Sequence, residues 1–376
     1  MMCGLNGKSI NVIKDIIISL FVFVEIGTFL LNSSFMLRNI LLLGIGVVGL
    51  ICCLINNGIR NMPFVVFFLI YTIFGAISIA VNQNADIYEL AYPLSYMSVG
   101  LLLLNFKSSF RLIQMIYYIV SVIFIACIVY AGGVDNLVMQ SSRNNISVYE
   151  LQLWTLYVIS AYQNKQDIHI WSVLIGWLVC LFSIGRSGII TFSIILFCLI
   201  CIKVKECKEM RYKNALGLVV VILGGALVCC FTDDIIMKMI DNFELRGLES
   251  VRTKIWEEYL IKVQESYTYV LFGAPQRYTF YLDMYANNLH NSFLQLHAKY
   301  GLAMVMIIFM MLEITIMEIY FRKEVYLLIP LIGIIFRMNF DYTNFNGVLD
   351  VVFVYYLLYP YYKTGMKCLS LKGNST

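Results

Sequence analysis

Two of the chain's three histidines, His290 and His297, share one stretch, NNLHNSFLQLHAKYGL (287–302), with Asn287, Asn288 and Asn291 crowded around the first. A neutral imidazole accepts a proton from a hydroxyl near pH 7. His290 stands where a polar segment runs into an apolar one, a position suited to such a base or to a residue that caps a helix start. The three asparagines are candidate partners for a sugar or for the imidazole. His297, one to two turns further on, reads as a packing or hydrogen-bonding residue. Zinc pairs on a helix stand three or four residues apart with a carboxylate or thiolate close by. Here the spacing is seven and the next carboxylate is Glu313, so no metal site is expected.

Arginine is the second chemical signal. Arg186 sits in SIGRSGII, where Gly185 and Gly188 free the backbone and Ser187 can cap a helix start. A guanidinium beside the open N–H groups of a helix N-terminus is a grip for a diphosphate. Arg252 lies beside the apolar stripe of LESVRTKIWEEYLIKV, Arg143 in SSRNNIS and Arg277 in FGAPQRY. The guanidinium fork holds phosphate or carboxylate bidentately, which an ammonium does not; the alternative for any one of them is an ordinary ion pair. Carboxylates are sparse. Glu318, four residues before Arg322, reads as an ion pair, whereas Glu25, Glu313 and Asp350 are either relay groups or paired structural carboxylates. Cys198 and Cys201 have redox spacing but lie in an apolar run with no histidine near, and read as packing.

These residues must be positioned by elements that are mostly hydrocarbon. The chain is 60% hydrophobic and 13% charged, against about 25% charged in soluble domains. Apolar runs of membrane-spanning length recur throughout, which predicts an all-α polytopic membrane protein. Twelve spans are expected, near 15–31, 36–55, 62–81, 87–105, 112–131, 147–162, 168–184, 187–203, 214–231, 299–320, 325–338 and 347–362. The first run lacks a small-residue cleavage site and reads as a helix, not a removable signal. With both termini cytoplasmic, twelve of sixteen lysines fall on the inner side, as the positive-inside rule demands. Seven of eleven arginines (Arg38, Arg143, Arg186, Arg246, Arg252, Arg277 and Arg337) then fall on or near the outer face. The net charge of +4 is too small to point to nucleic acid.

Three regions follow: a bundle of nine helices over 1–231, an external segment over 232–289, and three further helices with a cytoplasmic tail over 290–376. The external segment is rich in charge, yet Leu248, Val251, Ile255, Tyr259 and Val263 make a helical stripe within it. It is expected to fold as a cap, with FGAPQRY as a turn.

GRSGII at the start of a span, SVRTKIWEEYL in the large external segment, a following LFGAPQ turn and NNLHNSFLQLHAKYGL running into the next span come in that order. This order resembles the O-antigen polymerase and ligase superfamily of bacterial integral-membrane glycosyltransferases. The likeness covers roughly 143–302, and its most specific parts are His-Asn-Ser and the arginine before Ile-Trp. Where that family usually has Gly-x-Gly at the turn, this chain has Gly273-Ala274-Pro275. The resemblance implies a GT-C-like bundle in the bacterial cytoplasmic membrane and a transfer needing no metal or cofactor, with a polyprenyl-diphosphate-linked glycan as donor. It maps the family arginines onto Arg186 and Arg252 and the family histidine onto His290.

The expected function is therefore a polysaccharide repeat-unit polymerase, with an undecaprenyl-diphosphate-linked oligosaccharide as both donor and acceptor. A chain-length regulator and a flippase are candidate partners in the bilayer. Two alternatives stand: a ligase that uses the same chemistry with lipid A–core as acceptor, and, from another class, a lipid-linked oligosaccharide flippase. The one dominant external segment and the lack of a visible repeat favour an enzyme over a transporter.

Overall fold

The computed structural model describes residues 7–57, 61–82, 87–138, 142–206, 251–277, 279–284, 288–345 and 347–372. Helices α1 (Gly7–Leu30), α2 (Phe35–Asn57), α3 (Met62–Asn82), α4 (Ile87–Asn105) and α5 (Phe110–Tyr130) come first. The single turn α6 (Val134–Leu137), then α7 (Asn144–Asn164), α8 (Ile170–Phe182) and α9 (Arg186–Glu206) follow. Beyond residue 250 lie α10 (Val251–Gln264), α11 (Tyr267–Phe272), α12 (Phe280–Met284), α13 (Ser292–Phe321), α14 (Leu328–Phe340) and α15 (Asp350–Lys372). Helices occupy eleven of the twelve apolar runs; the run 214–231 lies outside the described residues, as do Leu248, Arg246 and Asn287. Among the described residues there is no strand.

Among the described residues, five helical segments are long and apolar enough to cross a membrane: Met36–Asn56, Met62–Asn82, Phe110–Tyr130, Arg186–Glu206 and Ser292–Phe321. Their outward faces are apolar as well. In α5, Ile113, Tyr117, Ser121, Phe124 and Ile128 are buried, while Met115, Ile119, Val122 and Val129 are exposed. A helix that meets its surroundings through such residues, with its backbone groups paired internally, is built for lipid. The chain is an all-α, multi-pass membrane protein.

Two helices form the centre. Every residue of α7 from Ile146 to Ala161 is buried, and so is α15 from Asp350 to Pro360. Helix α7 packs against α5, α8, α9, α14 and α15, and α15 packs against α3, α4, α7 and α13. A second, smaller core stands apart from this bundle. Ile255, Tyr259, Ala274, Leu282, Leu289 and Ala298 are buried in it, with Trp256, Val263 and Tyr269 packed around them. The helical stripe expected in α10 is thus used at Ile255, Tyr259 and Val263, while Val251, the first residue of the helix, remains exposed.

The small core is fastened to α13 before a kink at Gly301, whose φ is +78°. His297 holds α10 and α11 together there: its Nε2 donates to the Val270 carbonyl at 2.8 Å, which leaves Nδ1 to accept from the Tyr259 hydroxyl at 2.7 Å. The turn after α11 also needs a glycine. Gly273 has φ +87°, and a Cβ there would lie 2.5 Å from the carbonyl oxygens of both His297 and Ala298. From α3, Asn82 Nδ2 donates to the Phe272 carbonyl at 2.8 Å and also to that of Gly273. The fixed point of this turn is Gly273 itself.

Candidate functional site

Arg337 lies in the last turn of α14 and Asp341 is the residue that ends it, four positions on. That spacing puts guanidinium and carboxylate on one face, and Arg337 Nη2 meets Asp341 Oδ2 at 2.9 Å. Arg337 is completely buried. It needs several acceptors, and they come from two other helices. Its Nη2 donates to the Asn144 carbonyl at the start of α7 at 3.2 Å, and its Nη1 donates to Ser187 Oγ in the first turn of α9. Ser187 in turn donates to Asp341 Oδ2 at 3.1 Å. Helix α9 comes this close to α7 because residue 188 is glycine: a Cβ there would overlap the Ser147 side chain at 2.3 Å.

The other carboxylate oxygen of Asp341 receives Arg252. Arg252 is the second residue of α10, and its Nη2 lies 3.0 Å from Asp341 Oδ1. One carboxylate therefore holds two guanidiniums that are 85 residues apart in sequence, Arg252 being a quarter exposed and Arg337 not at all. Charge-assisted contacts of this kind are short and directional. The excess positive charge stands beside the exposed edge that Arg252 supplies.

His290 is set against this pair by its own neighbours. It has φ +48°, a left-handed conformation seldom adopted outside glycine, asparagine, aspartate and histidine. Asn288 Oδ1 accepts from the His290 backbone N–H at 2.8 Å and closes the turn. Asn291 caps α13: its Oδ1 accepts from the Phe293 and Leu294 N–H groups at 2.9 and 3.0 Å, and its Nδ2 donates to the Asn339 carbonyl at 3.1 Å. Ser292 Oγ donates to the Asp341 carbonyl at 2.8 Å and accepts from Thr343 N at 3.0 Å. The two residues after the imidazole are thus fasteners to the end of α14. Burial lowers the His290 pKa; the positive charge of Arg252 lowers it further, and Asp341 partly opposes the shift. The imidazole is neutral at pH 7.

The expected site residues divide accordingly. His290 and Arg252 come together around Asp341, and Arg186, half-buried as the first residue of α9, adjoins Ser187. Ser187 does not cap α9 as expected; it lies inside the helix and its hydroxyl serves Asp341 and Arg337 instead. Asn288 and Asn291 spend their side-chain acceptors on the backbone around His290. Arg143 makes an ion pair with Asp135 of α6 at 2.6 Å, the ordinary alternative to a phosphate grip. Arg277 is exposed on the turn before α12, and its carbonyl accepts from Lys262 at 2.6 Å. Asp341 was missed altogether in the sequence, though an acidic residue four positions after an arginine at the end of an apolar run is a readable signal. Compared with protein-family models, curated proteins and solved structures, the chain matches none.

Proposed function

We propose that the chain is a polysaccharide repeat-unit polymerase of the O-antigen polymerase and ligase superfamily. It would be a GT-C-like bundle of about twelve spans in the bacterial cytoplasmic membrane, with both termini inside. The observation that carries this reading is the meeting of His290, Arg252, Arg337 and Asp341, drawn from three separate stretches of chain, at the starts of α9 and α13. Arg252 and Arg337 against Asp341 leave one positive charge in excess, and Arg186 is the residue next to Ser187 at the start of α9. Excess positive charge at a bundle end suits the diphosphate head of a polyprenyl-linked glycan, whose tail stays among the helices.

In the proposed reaction, neutral His290 takes the proton from an acceptor sugar hydroxyl. The oxygen attacks the anomeric carbon of the donor with inversion as the bond to the diphosphate oxygen breaks. The electron pair leaves on the diphosphate, where the arginines stabilise it. Neither metal nor cofactor has a part in these steps. The test uses purified protein and radiolabelled undecaprenyl-diphosphate repeat units. A ladder of longer glycans is expected, reduced about a hundredfold or more by His290→Ala. Undiminished turnover in His290→Ala would sink the general-base assignment, and transfer to lipid A–core without lengthening would mark a ligase.

A further inference from the structure

An apolar groove of about 620 Å³ runs between α13 and α14, lined by Phe293, Phe309, Leu312, Ile316, Met317 and Ile335. Asn291 and Asn339, near Asp341, mark one part of its wall, and Glu313 marks another. Glu313 stands twelve residues beyond the kink at Gly301, about 18 Å further along α13.

Three features of this wall belong together. Phe309, Glu313 and Ile316 are spaced as one helix face, with Leu312 and Met317 beside them, which is the row that packs against a neighbouring helix. That row faces outward: Phe309, Ile316 and Met317 are all exposed. Glu313 is exposed within it and joins no ion pair among the described residues, whereas Glu318 one turn on holds Arg322 at 2.5 Å. The sequence led us to expect a paired carboxylate here. A carboxylate on a lipid-facing wall is costly until a cation meets it.

We propose that the groove is a docking site for a transmembrane helix of a partner protein, one that carries a lysine or arginine within its span to pair with Glu313. A second copy of this chain fits less well. Two copies meeting through this face would oppose two carboxylates; α2, α5 and α9 carry lysine or arginine only near their ends, and α3 carries none. An isoprenoid tail would fill the apolar part of the groove but offers Glu313 nothing. This inference stands apart from the transferase reading, since it needs no turnover.

The test uses the full-length protein, dye-labelled in lipid vesicles, with a synthetic Leu/Ala transmembrane peptide that carries one central lysine and an acceptor dye. The control peptide has leucine in place of the lysine. Energy transfer should show the lysine peptide binding about tenfold more tightly than the control. Glu313→Gln should remove that difference, and Ile316→Trp, which fills the groove, should remove binding of both. Equal binding of the two peptides, or a lysine preference that survives Glu313→Gln, overturns the proposal. Displacement of the lysine peptide by an uncharged polyprenol would assign the groove to lipid instead, and self-association abolished by Ile316→Trp would assign it to a second copy.

Discussion

At the scale of single residues, the site is an arrangement of charge around Asp341. His290 is kept neutral by burial and by Arg252, so its folded pKa lies below the ordinary value near 6.5. The acid limb of kcat/KM for sugar transfer should therefore fall below pH 6.5. Asp341→Asn removes the one charge that opposes the shift, and the limb should move further to acid; a pH–rate profile of the variant reads this directly. Stability follows the same sign. A depressed histidine pKa means that the contribution of His290 is complete above the unfolded value and is lost as pH falls through the window between that value and the folded one. Asp341→Asn also strands the wholly buried Arg337. Removing one partner of a buried pair costs on the order of 3–5 kcal/mol, so the melting temperature in detergent should drop, and adding Arg337→Met should recover much of the loss. An unchanged melting temperature in Asp341→Asn would show that the pair is not needed for stability. His290 and Arg252 were legible as chemistry because their types are rare and their neighbours polar; for Asp341 the spacing from Arg337 signals an ion pair, but nothing local signals that Arg252 joins it.

At the scale of elements, short irregular segments do the positioning. The turn after α11 is set by Gly273 against the α13 backbone, and α13 is held in place before its kink by His297, Ser292 and the Asn291 cap. Gly273→Ala should strain both the backbone at φ +87° and the contact with the Ala298 and His297 carbonyls, at about 1–3 kcal/mol for the conformation alone. Hydrogen exchange should then rise in α10 and α11 while α7 keeps its protection; uniform protection in the variant would remove Gly273 from this role. The amphipathic stripe of α10 predicted which of its residues would be buried, since period alone sets a helix face. The kink at Gly301 could not be read the same way, because it lies against the Leu271 carbonyl, thirty residues away in sequence.

At the scale of the whole molecule, composition and order impose a multi-pass helical bundle, and the lysine distribution adds an orientation that can be tested. In a chain stripped of its native cysteines, Thr268→Cys on α11 should react with an impermeant maleimide in intact cells. Lys372→Cys at the end of α15 should react only after the membrane is opened. The reverse pattern would invert the orientation and put the Asp341 site on the inner face. The sequence by itself determined the all-α membrane class and helices in eleven of the twelve apolar runs, because unpaired backbone is not tolerated in lipid and apolar length decides what spans it. It also singled out His290 and Arg252. Only the tertiary structure decided that Asp341 pairs with Arg252 and acts electrostatically on His290, that Arg337 is buried with it while Arg143 pairs with Asp135, and that Glu313 faces outward without an ion pair among the described residues. Those outcomes depend on which helix ends meet, and local pattern carries no information about contacts between residues a hundred positions apart.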